Sequence, residues 1–262
     1  MIHKLKKLFK LLPPLLLRDI KERYAGSAIG IFWAFLQPLL FILLYWLVFA
    51  QILKIRIQTD TSDIPFLAFL LSGLLPWFAF QEGAMRGASS ILDKRHIIKK
   101  VIFPIELFPL TSVLSSFVHN GIGILLFFIG FFIWQGNISA QQVFFIAALL
   151  LFQIILTSGI SMFFSALSVY IRDVIQLLGV AFQLLFYTCT ILYPMTAVPE
   201  KLRAVILLNP FTALAESYHN TILYNKSPEI GHLIYLLCFT VVCFSGGIFF
   251  FRKVKKGFAD VL

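Results

Sequence analysis

The sequence is poor in charged residues. Of its 262 residues, 13% are charged and only 12 are acidic, whereas 60% are hydrophobic. The mean hydropathy is +0.91. A soluble domain of this length has no use for so much apolar surface, because polar groups must cover much of its exterior. The composition therefore excludes a soluble protein and predicts an all-α, polytopic membrane protein.

The sequence also lacks the residue patterns of metal, redox and nucleotide sites. Its three cysteines lie within apolar runs, where they are expected to act as small buried side chains. Its five histidines are scattered without metal-ligand spacing. No phosphate-binding G-x-x-x-x-G-K-[ST] motif occurs, so the chain is not itself an ATPase. We expect no catalytic residue, no metal site and no cofactor held by this chain.

Basic residues are in excess, with 22 lysines and arginines and a formal net charge of +10. Their distribution argues against nucleic acid as a partner, because they cluster near the ends of apolar runs. The basic segments are the N-terminus, residues 87–103 and the tail after Phe251. Membrane proteins keep such segments in the cytoplasm. We expect a multi-pass protein of the cytoplasmic membrane, in contact with membrane lipid, with both termini cytoplasmic.

Six apolar runs reach roughly the twenty residues that a helix needs to cross a bilayer. The predicted spans are 31–53, 64–86, 104–134, 142–169, 174–196 and 230–251. Two spans carry small or polar residues at helical spacing, which is typical of close helix packing. These stripes are Ser112, Ser115, His119 and Gly123 in the third span and Ser158, Ser161, Ser165 and Ser168 in the fourth.

Residues 1–30 predict an amphipathic interfacial helix followed by a hinge. Leucines and lysines alternate at helical spacing before Pro13-Pro14, which we expect to end the first helical stretch. Within residues 18–23, the i,i+4 pairs Arg18–Glu22 and Asp19–Arg23 are predicted on the helix surface. Glycines at 26 and 30 then allow the chain to turn into the bilayer.

The segment from 18 to 39 carries a recognisable motif. It reads R-D-I-K-x-R-Y-x-x-S-x-x-G-x-x-W-x-x-x-x-P-L, with Arg18, Trp33 and Pro38 among its fixed positions. This motif resembles the entry segment of the ABC-2 type permeases that export polysaccharide and lipopolysaccharide O-antigen. A second match, Y-P-M-x-x-V-P-x-x-L-R followed by N-P-F-x-x-L, extends the resemblance over 193–214.

The resemblance implies one transmembrane domain over 1–262 in a bacterial inner membrane. It implies a non-enzymatic permease subunit for lipid-linked polysaccharide, working as a homodimer with two copies of a separate ABC ATPase that binds ATP and magnesium. Another cargo, such as teichoic acid, capsule or a drug, is an alternative. A membrane enzyme acting on lipid-linked sugars is a second alternative, and a secondary transporter is a third.

Residues 197–228 predict a short external helix pair between spans five and six. Two apolar-faced segments, 200–208 and 212–224, are separated by Asn209-Pro210, and each is too short to cross the membrane. The residues alone permit two helices lying on the outer surface. The resemblance implies instead a re-entrant pair that dips into the outer leaflet.

Two polar or aromatic faces are candidates for a substrate path. The first span places Trp33, Gln37 and Tyr45 on one ridge, and the fifth carries Gln183, Tyr187 and Thr190. Aromatic faces stack on sugar C–H groups, and amides and hydroxyls bond sugar oxygens. Such residues also face lipid or neighbouring helices, and both interpretations stand from the sequence.

The segment 87–103 is the candidate contact with the ATPase. Aliphatic and basic residues lie side by side there, and Pro104 separates the segment from the third span. The alternative is a basic loop that only anchors to anionic lipid. The coupling candidates are Ile91, Leu92, Lys94, Arg95, Ile97 and Ile98, with Arg18 and Arg23 of the interfacial helix completing the surface.

Two acidic residues, Glu82 and Glu106, fall within predicted spans. We expect structural ion pairs for them, Glu82 with Arg86 and Glu106 with Lys99 or Lys100. The alternative is a proton relay, because carboxylates in membranes are often functional.

Overall fold

The computed structural model describes residues 2–54, 56–58, 63–98, 104–136 and 139–258. Within them the protein is helical apart from a hairpin of two three-residue strands, β1 Arg56–Gln58 and β2 Asp63–Pro65. The helices are α1 Ile2–Arg23, α2 Trp33–Tyr45, α3 Phe66–Asp93, α4 Arg95–Ile98, α5 Leu107–Gln135, α6 Ala140–Tyr170, α7 Val174–Tyr187, α8 Glu200–Leu207, α9 Pro210–Ile222 and α10 Ile230–Val254. The second helix begins with a 3₁₀ turn, Gly30–Phe32, and continues as a π-helix over Trp46–Ile52.

Five helical segments in the described part of the chain are long and apolar enough to cross a membrane. They are Gly30–Ile52, Phe66–Asp93, Leu107–Trp134, Ala140–Tyr170 and Ile230–Gly257. The predicted helix over 174–196 is shorter, because α7 ends at Tyr187 after 14 residues. That length is roughly 21 Å, less than the ~30 Å hydrocarbon core. The helix stops where the Leu185 carbonyl accepts a bond from the Asn209 amide at 2.9 Å.

The N-terminal helix α1 does not stop at Pro13-Pro14, and the prediction that it would is wrong. Proline fits helical φ and lacks only its own N–H, so it frees carbonyl groups one turn earlier. Both prolines are exposed, as is Lys10. Solvation at this surface offsets the missing helical bonds, and the helix continues to Arg23.

The central helix is α3, which is buried along most of its length between α5 and α6. Serines of α6 bond to its backbone: Ser161 Oγ donates to the Gly83 carbonyl at 3.3 Å and Ser168 Oγ to the Ala88 carbonyl at 2.9 Å. A Cβ atom at Gly87 would come within 2.5 Å of the Ser161 Cβ. These contacts confirm that the serine stripe of the fourth span packs closely against another helix.

Helices α6 and α10 cross at two glycines. A Cβ atom on Gly247 would lie 2.1 Å from the Gly159 carbonyl oxygen, and one on Gly159 would lie 2.5 Å from Phe244 Cα. No side chain larger than hydrogen fits between these backbones. The glycines therefore bring the two helices into direct backbone contact.

The bundle has two ends that we name by the helix docked there. At the α1 end, α6 and α10 both finish, with the Tyr170 hydroxyl donating to the Val254 carbonyl at 2.9 Å. Lys255 pairs there with Glu106 at the start of α5. At the α9 end, α6 begins, and Gln142 Nε2 donates to the Ile222 carbonyl at 3.1 Å. The predicted partners of Glu106, at 99 and 100, lie outside the described residues.

Two short helices, α8 and α9, occupy the region predicted for the helix pair. Asn209 lies between them, and its side-chain Oδ1 accepts the Phe211 N–H at 3.0 Å and caps α9. Phe211 packs on Trp77 and Phe80 of α3, with ring centroids 5.1 and 4.2 Å apart. The same helix ends at Ile222, beside the start of α6. α9 thus runs from the middle of α3 back to one end of the bundle.

Candidate functional site

The helix α1 is fastened to α3 through a buried carboxylate. Asp19 is only 3% exposed. Its Oδ2 accepts from the Arg86 guanidinium at 2.8 Å and its Oδ1 from the Lys94 ammonium at 2.9 Å. Burial raises the pKa of Asp19, but Lys94 and Arg86 lower it by more, so the pKa lies below its ordinary value. This carboxylate joins α1 to the segment that begins at residue 87.

One turn further along α1, Arg23 enters the membrane domain. Its guanidinium pairs with Glu82 of α3 and donates to Ser116 Oγ of α5 at 3.2 Å. The second oxygen of Glu82 accepts from Asn120 Nδ2 at 2.6 Å. Arg86 lies 3.8 Å from Glu82, so the two basic residues flank one carboxylate. The ion pair expected for Glu82 is present, with Arg23 as its nearer partner.

The chain turns immediately after this contact. Tyr24 shares a 2.7 Å hydrogen bond with His119 Nδ1 of α5. Gly26 and Gly30 then adopt φ of +79° and +59°, in the left-handed region that favours glycine. The predicted hinge is therefore built from two left-handed glycines, anchored on its N-terminal side by Arg23 and Tyr24.

A cleft of about 410 Å³ opens beside these contacts, between α2, α3 and α5. Its wall combines aromatic, aliphatic and polar side chains. The lining residues are Gln37, Pro38, Phe41, Leu75, Phe78, Gln81, Glu82, Met85, His119, Asn120 and Gly123. The cleft thus shares Glu82, His119 and Asn120 with the contacts that hold α1.

The structure separates the six path candidates. Gln37 lines the cleft, and Trp33 is exposed on the same helix. Tyr45 is half-buried and stacks on Phe49, with ring centroids 6.0 Å apart. The other three lie on or after α7: Gln183 and Tyr187 are exposed, whereas Thr190 is fully buried. Within one chain, these residues do not form one continuous surface.

The coupling candidates are also divided. Ile91 is fully buried in an apolar cluster with Phe108 and Phe251, so it is not available to a partner. Leu92 is half-buried and Arg95 exposed, while Lys94 is engaged with Asp19. The side chains of Ile97 and Ile98, although in α4, lie outside the described part of the structure.

Arg18 and Arg23 of α1 have different surroundings. Arg18 is exposed and pairs with Glu22 at 2.6 Å, as its spacing predicts. The predicted Asp19–Arg23 pair is wrong, because both residues turn inward to partners on α3. Arg23 therefore contributes to the interior of the domain, and Arg18 remains on its surface.

Sequence reasoning missed the convergence of Arg23, Glu82 and Asn120. The signal available was the polar stripe of the third span, whose His119 meets Tyr24. The sequence does not show how α1 and α3 are aligned against each other, and the paired residues Arg23 and Glu82 lie 59 positions apart in the chain. Among the described residues, no group of three or more histidine, cysteine or acidic side chains is placed to hold a metal ion.

Comparison with known proteins places this architecture. Residues 14–223 match the ABC-2 type transporter family. The O-antigen export system permease protein RfbA of Klebsiella pneumoniae is 30% identical over 263 residues, covering 100% of this chain and 98% of the relative. The protein of the same name from Myxococcus xanthus is 30% identical, covering 99% of each. The polysialic acid transport protein KpsM of Escherichia coli is 25% identical, covering 92% of each. The chain belongs to the ABC-2 type transporter family.

Proposed function

We propose that this chain is the membrane-spanning subunit of an ATP-driven exporter that moves lipid-linked cell-surface polysaccharide, O-antigen or similar, across a bacterial inner membrane. The observation that carries the proposal is the full-length similarity, at 30% identity, to two permeases named for O-antigen export. The cargo named for the KpsM relative, polysialic acid, is also a polysaccharide. In this proposal ATP and magnesium are bound by a separate subunit, and this chain supplies the path.

The proposed topology has six crossings with both termini in the cytoplasm. Its support is the order of helix ends: α6 and α10 finish together at the α1 end, where Tyr170 meets Val254. The chain between them must therefore return to the α9 end before α10 begins. In this proposal α7 and the non-helical residues after Tyr187 make that crossing together.

In this topology α8 and α9 form the re-entrant external pair. Phe211 contacts Trp77, which lies eleven residues into α3, or roughly 16 Å along the helix. The junction at Asn209 reaches the end of α7 through its bonds to the Leu185 carbonyl and to Thr188 Oγ1, at 2.9 and 3.1 Å. A pair lying flat on the surface would not reach these depths.

Cysteine labelling tests the orientation. A cysteine replacing Lys226, after α9, should react with an impermeant thiol reagent in intact cells. A cysteine replacing Lys256, at the α1 end, should react only after the membrane is opened. The native cysteines are first replaced by alanine. Reaction at position 256 without reaction at 226 in intact cells would invert the topology.

We propose a homodimer with the path between protomers. In the single chain, Trp33 of α2 and Gln183 and Tyr187 of α7 are exposed. An outward-facing amide such as that of Gln183 on a membrane helix needs a polar neighbour or a water-filled surface. A second protomer facing α2 and α7 would supply that surface. Tyr187→Ala should lower surface polysaccharide without lowering the amount of permease, and unchanged export would return Tyr187 to a packing role.

We propose that two ATPase subunits dock at the α1 end, on residues 87–98 together with α1. The support is Asp19, which ties α1 to Arg86 and to Lys94. A push on either element is thereby transmitted to α3, the central helix. Charge-assisted contacts between well-ordered helices transmit displacement better than a loop anchored only to lipid.

The docking experiment uses the permease expressed with its ATPase. Leu92→Asp, at a half-buried position of the α1 end, should leave the permease inserted but abolish ATPase co-purification and export. Leu202→Asp is the matched control, since Leu202 is exposed on α8 at the other end of the bundle. Normal co-purification of the Leu92→Asp protein would place the docking surface elsewhere.

Deletion of the gene tests the function itself. A strain without the permease should accumulate lipid-linked polysaccharide inside the cell and show none at the surface, and the wild-type chain should restore surface display. Normal surface polysaccharide in the deletion strain would overturn the proposed function.

A further inference from the structure

The cleft between α2, α3 and α5 has a lining that lipid does not explain. Polar side chains on its wall include Gln37, Gln81 and Asn120. Gln81 Oε1 accepts from Trp77 and Asn120 Nδ2 donates to Glu82. Their remaining amide atoms and the Gln37 amide would meet no hydrogen-bond partner in acyl chains, which costs free energy. The cleft is therefore suited to a polar occupant.

The volume of the cleft, about 410 Å³, falls within the roughly 300–1,000 Å³ of small-ligand sites. Gly123 sets its shape on one side, because a Cβ there would lie 3.1 Å from Pro38 Cβ. α2 and α5 thus touch at Gly123 and Pro38, and a larger residue would press them apart. The shape of the cleft is therefore set by the packing of α2 on α5 and not by side chains that can change rotamer.

The charge of the lining argues against a phosphate group as occupant. Among the described residues that line the cleft, Glu82 is charged and none is a lysine or arginine, so the wall offers no cation to face an anionic occupant. The nearby cations, Arg23 and Arg86, are engaged with the carboxylates of Glu82 and Asp19. A neutral molecule rich in hydroxyl groups needs no such cation. Its hydroxyls can donate to the remaining lone pairs of Glu82, whose two oxygens already accept from Arg23 and Asn120.

The apolar part of the wall suits a sugar ring in particular. Phe41 and Phe78 lie side by side in the cleft, with ring centroids 6.0 Å apart. Sugars present an apolar C–H face together with hydroxyl groups around the edge. Two aromatic rings beside three amides and a carboxylate match both parts.

We propose that this cleft binds one sugar unit of the exported polysaccharide through its hydroxyl groups, with Phe41 and Phe78 against the ring face. The inference rests on the proposed function and adds a binding site within the protomer. Because Glu82 also pairs with Arg23 of α1, an occupant hydrogen-bonded to Glu82 would share this carboxylate with the helix on which we propose that the ATPase docks.

Photo-crosslinking in cells that make the polysaccharide tests the site. Benzoylphenylalanine replaces Phe78 in the cleft, and in a matched control it replaces Phe249, which is 70% exposed on α10. The permease is purified with its ATPase and probed with antibody to the polysaccharide. We expect polysaccharide-linked permease from position 78 and little from position 249. Equal yields, or phospholipid adducts alone at position 78, would overturn the proposal.

Two glutamine substitutions, one in the cleft and one outside it, test the contribution of a single hydrogen bond to the crosslink yield. Gln37→Leu, combined with the crosslinker at position 78, should lower the crosslink yield roughly two- to tenfold, as expected for one lost hydrogen bond. Gln51→Leu is the matched control, since Gln51 is exposed about four turns further along the same helical segment. An unchanged yield with Gln37→Leu would remove Gln37 from the site.

Two further experiments distinguish the exported polysaccharide from other glycolipids as the source of the sugar, and the site proposal from the proposed function. In a strain that cannot make the polysaccharide, the adduct at position 78 should disappear, and an adduct with glycolipid there would overturn the assignment. If the deletion strain loses surface polysaccharide while position 78 shows no adduct, the site proposal fails alone. If the deletion strain keeps its surface polysaccharide, the proposed function fails.

Discussion

Helices α1 and α9 dock on the same central helix by different chemistry. α1 is held by charges: Asp19 bonds to Arg86 and Lys94, and Arg23 pairs with Glu82. α9 is held by ring contacts and neutral hydrogen bonds, as where Phe211 packs on Trp77 of α3 and the Tyr218 hydroxyl donates to Gln153 of α6. The desolvation of the buried Asp19 is offset by its two cationic partners, whereas deep in the bundle a neutral amide costs less to bury than a charge. The contrast predicts that α1 docking responds to the loss of a charge and to acid pH, whereas α9 docking responds to the loss of a neutral hydrogen bond.

The largest effect on this contrast is expected from Asp19→Asn. The change leaves Arg86 and Lys94 without their carboxylate and should weaken α1 docking by about 3 kcal/mol, the low end for a broken buried pair, because both partners are partly exposed. Trypsin cleavage after Arg23 of the purified permease should become about a hundredfold faster.

The exposed pair of the same helix is the control. Glu22→Gln removes the bond to Arg18 at the surface and should change that cleavage rate by less than about fivefold. Similar rates for Asp19→Asn and the wild type would show that the ion pairs do not hold α1.

The next largest effect is expected at Gln153, a neutral side chain that bonds to both α3 and α9. Gln153 Nε2 donates to the Pro76 carbonyl at 2.7 Å, and its Oε1 accepts from the Tyr218 hydroxyl at 2.9 Å. Gln153→Leu should lower the free energy of unfolding by about 2 kcal/mol, because it leaves buried polar groups unpaired. Thermal unfolding in lipid nanodiscs measures this change.

The control for this variant lies on the same helix. Gln141→Leu changes an exposed glutamine near the start of α6 and should shift stability by less than about 0.5 kcal/mol. The Gln153→Leu protein should also keep the wild-type trypsin pattern at Arg23. Faster cleavage there would mean that the two docking sites are one cooperative unit.

A smaller effect is expected at the start of α9. Asn209→Ala removes the cap of the helix and should cost about 1 kcal/mol. Asn209→Asp keeps the capping oxygen but loses the amide that bonds Leu185 and Thr188. Equal unfolding temperatures for the two variants would show that the cap contributes nothing beyond the bonds to α7.

The smallest effect near neutral pH is expected from protonation of Asp19. Because the pKa of Asp19 is lowered in the folded protein, its contribution to docking is complete above the ordinary aspartate range. It is lost as the pH falls through the lowered pKa. Trypsin is inactive there, so a fluorescent probe on α1 reports release. Release at acid pH should be absent in Asp19→Asn, and release that persists would assign the effect to another group.

The sequence predicted what depends on local pattern. The first span, predicted over 31–53, is observed at Gly30–Ile52, and the serine stripe packs as its spacing indicates. The ion pairs were harder to predict from the sequence. The i,i+4 spacing correctly gave the Arg18–Glu22 pair but assigned Asp19 to the wrong partner, Arg23. The correct partner is 67 residues away, and only the packing of α1 on α3 brings the two together.

The early end of α7 illustrates a second limit. Its apolar run continues past Tyr187, so composition alone predicts a longer helix. At its end, the Leu185 carbonyl accepts from Asn209 Nδ2, 24 residues after Leu185, and from the nearby Thr188 Oγ1. The apolar composition gives no sign of a bond from so distant a side chain, and the cleft between α2, α3 and α5 depends on tertiary packing in the same way.

The glycine crossing of α6 and α10 has a mechanical consequence. Backbones in contact at Gly159 and Gly247 can neither approach further nor rotate past each other without collision. The two helices are therefore expected to act as one rigid unit, relative to which the other helices move. During ATP-driven cycling, spin labels on α6 and α10 should keep a constant separation, while labels on α2 and α7 change theirs. The glycines, which carry no functional group, would then define the fixed frame of the transporter.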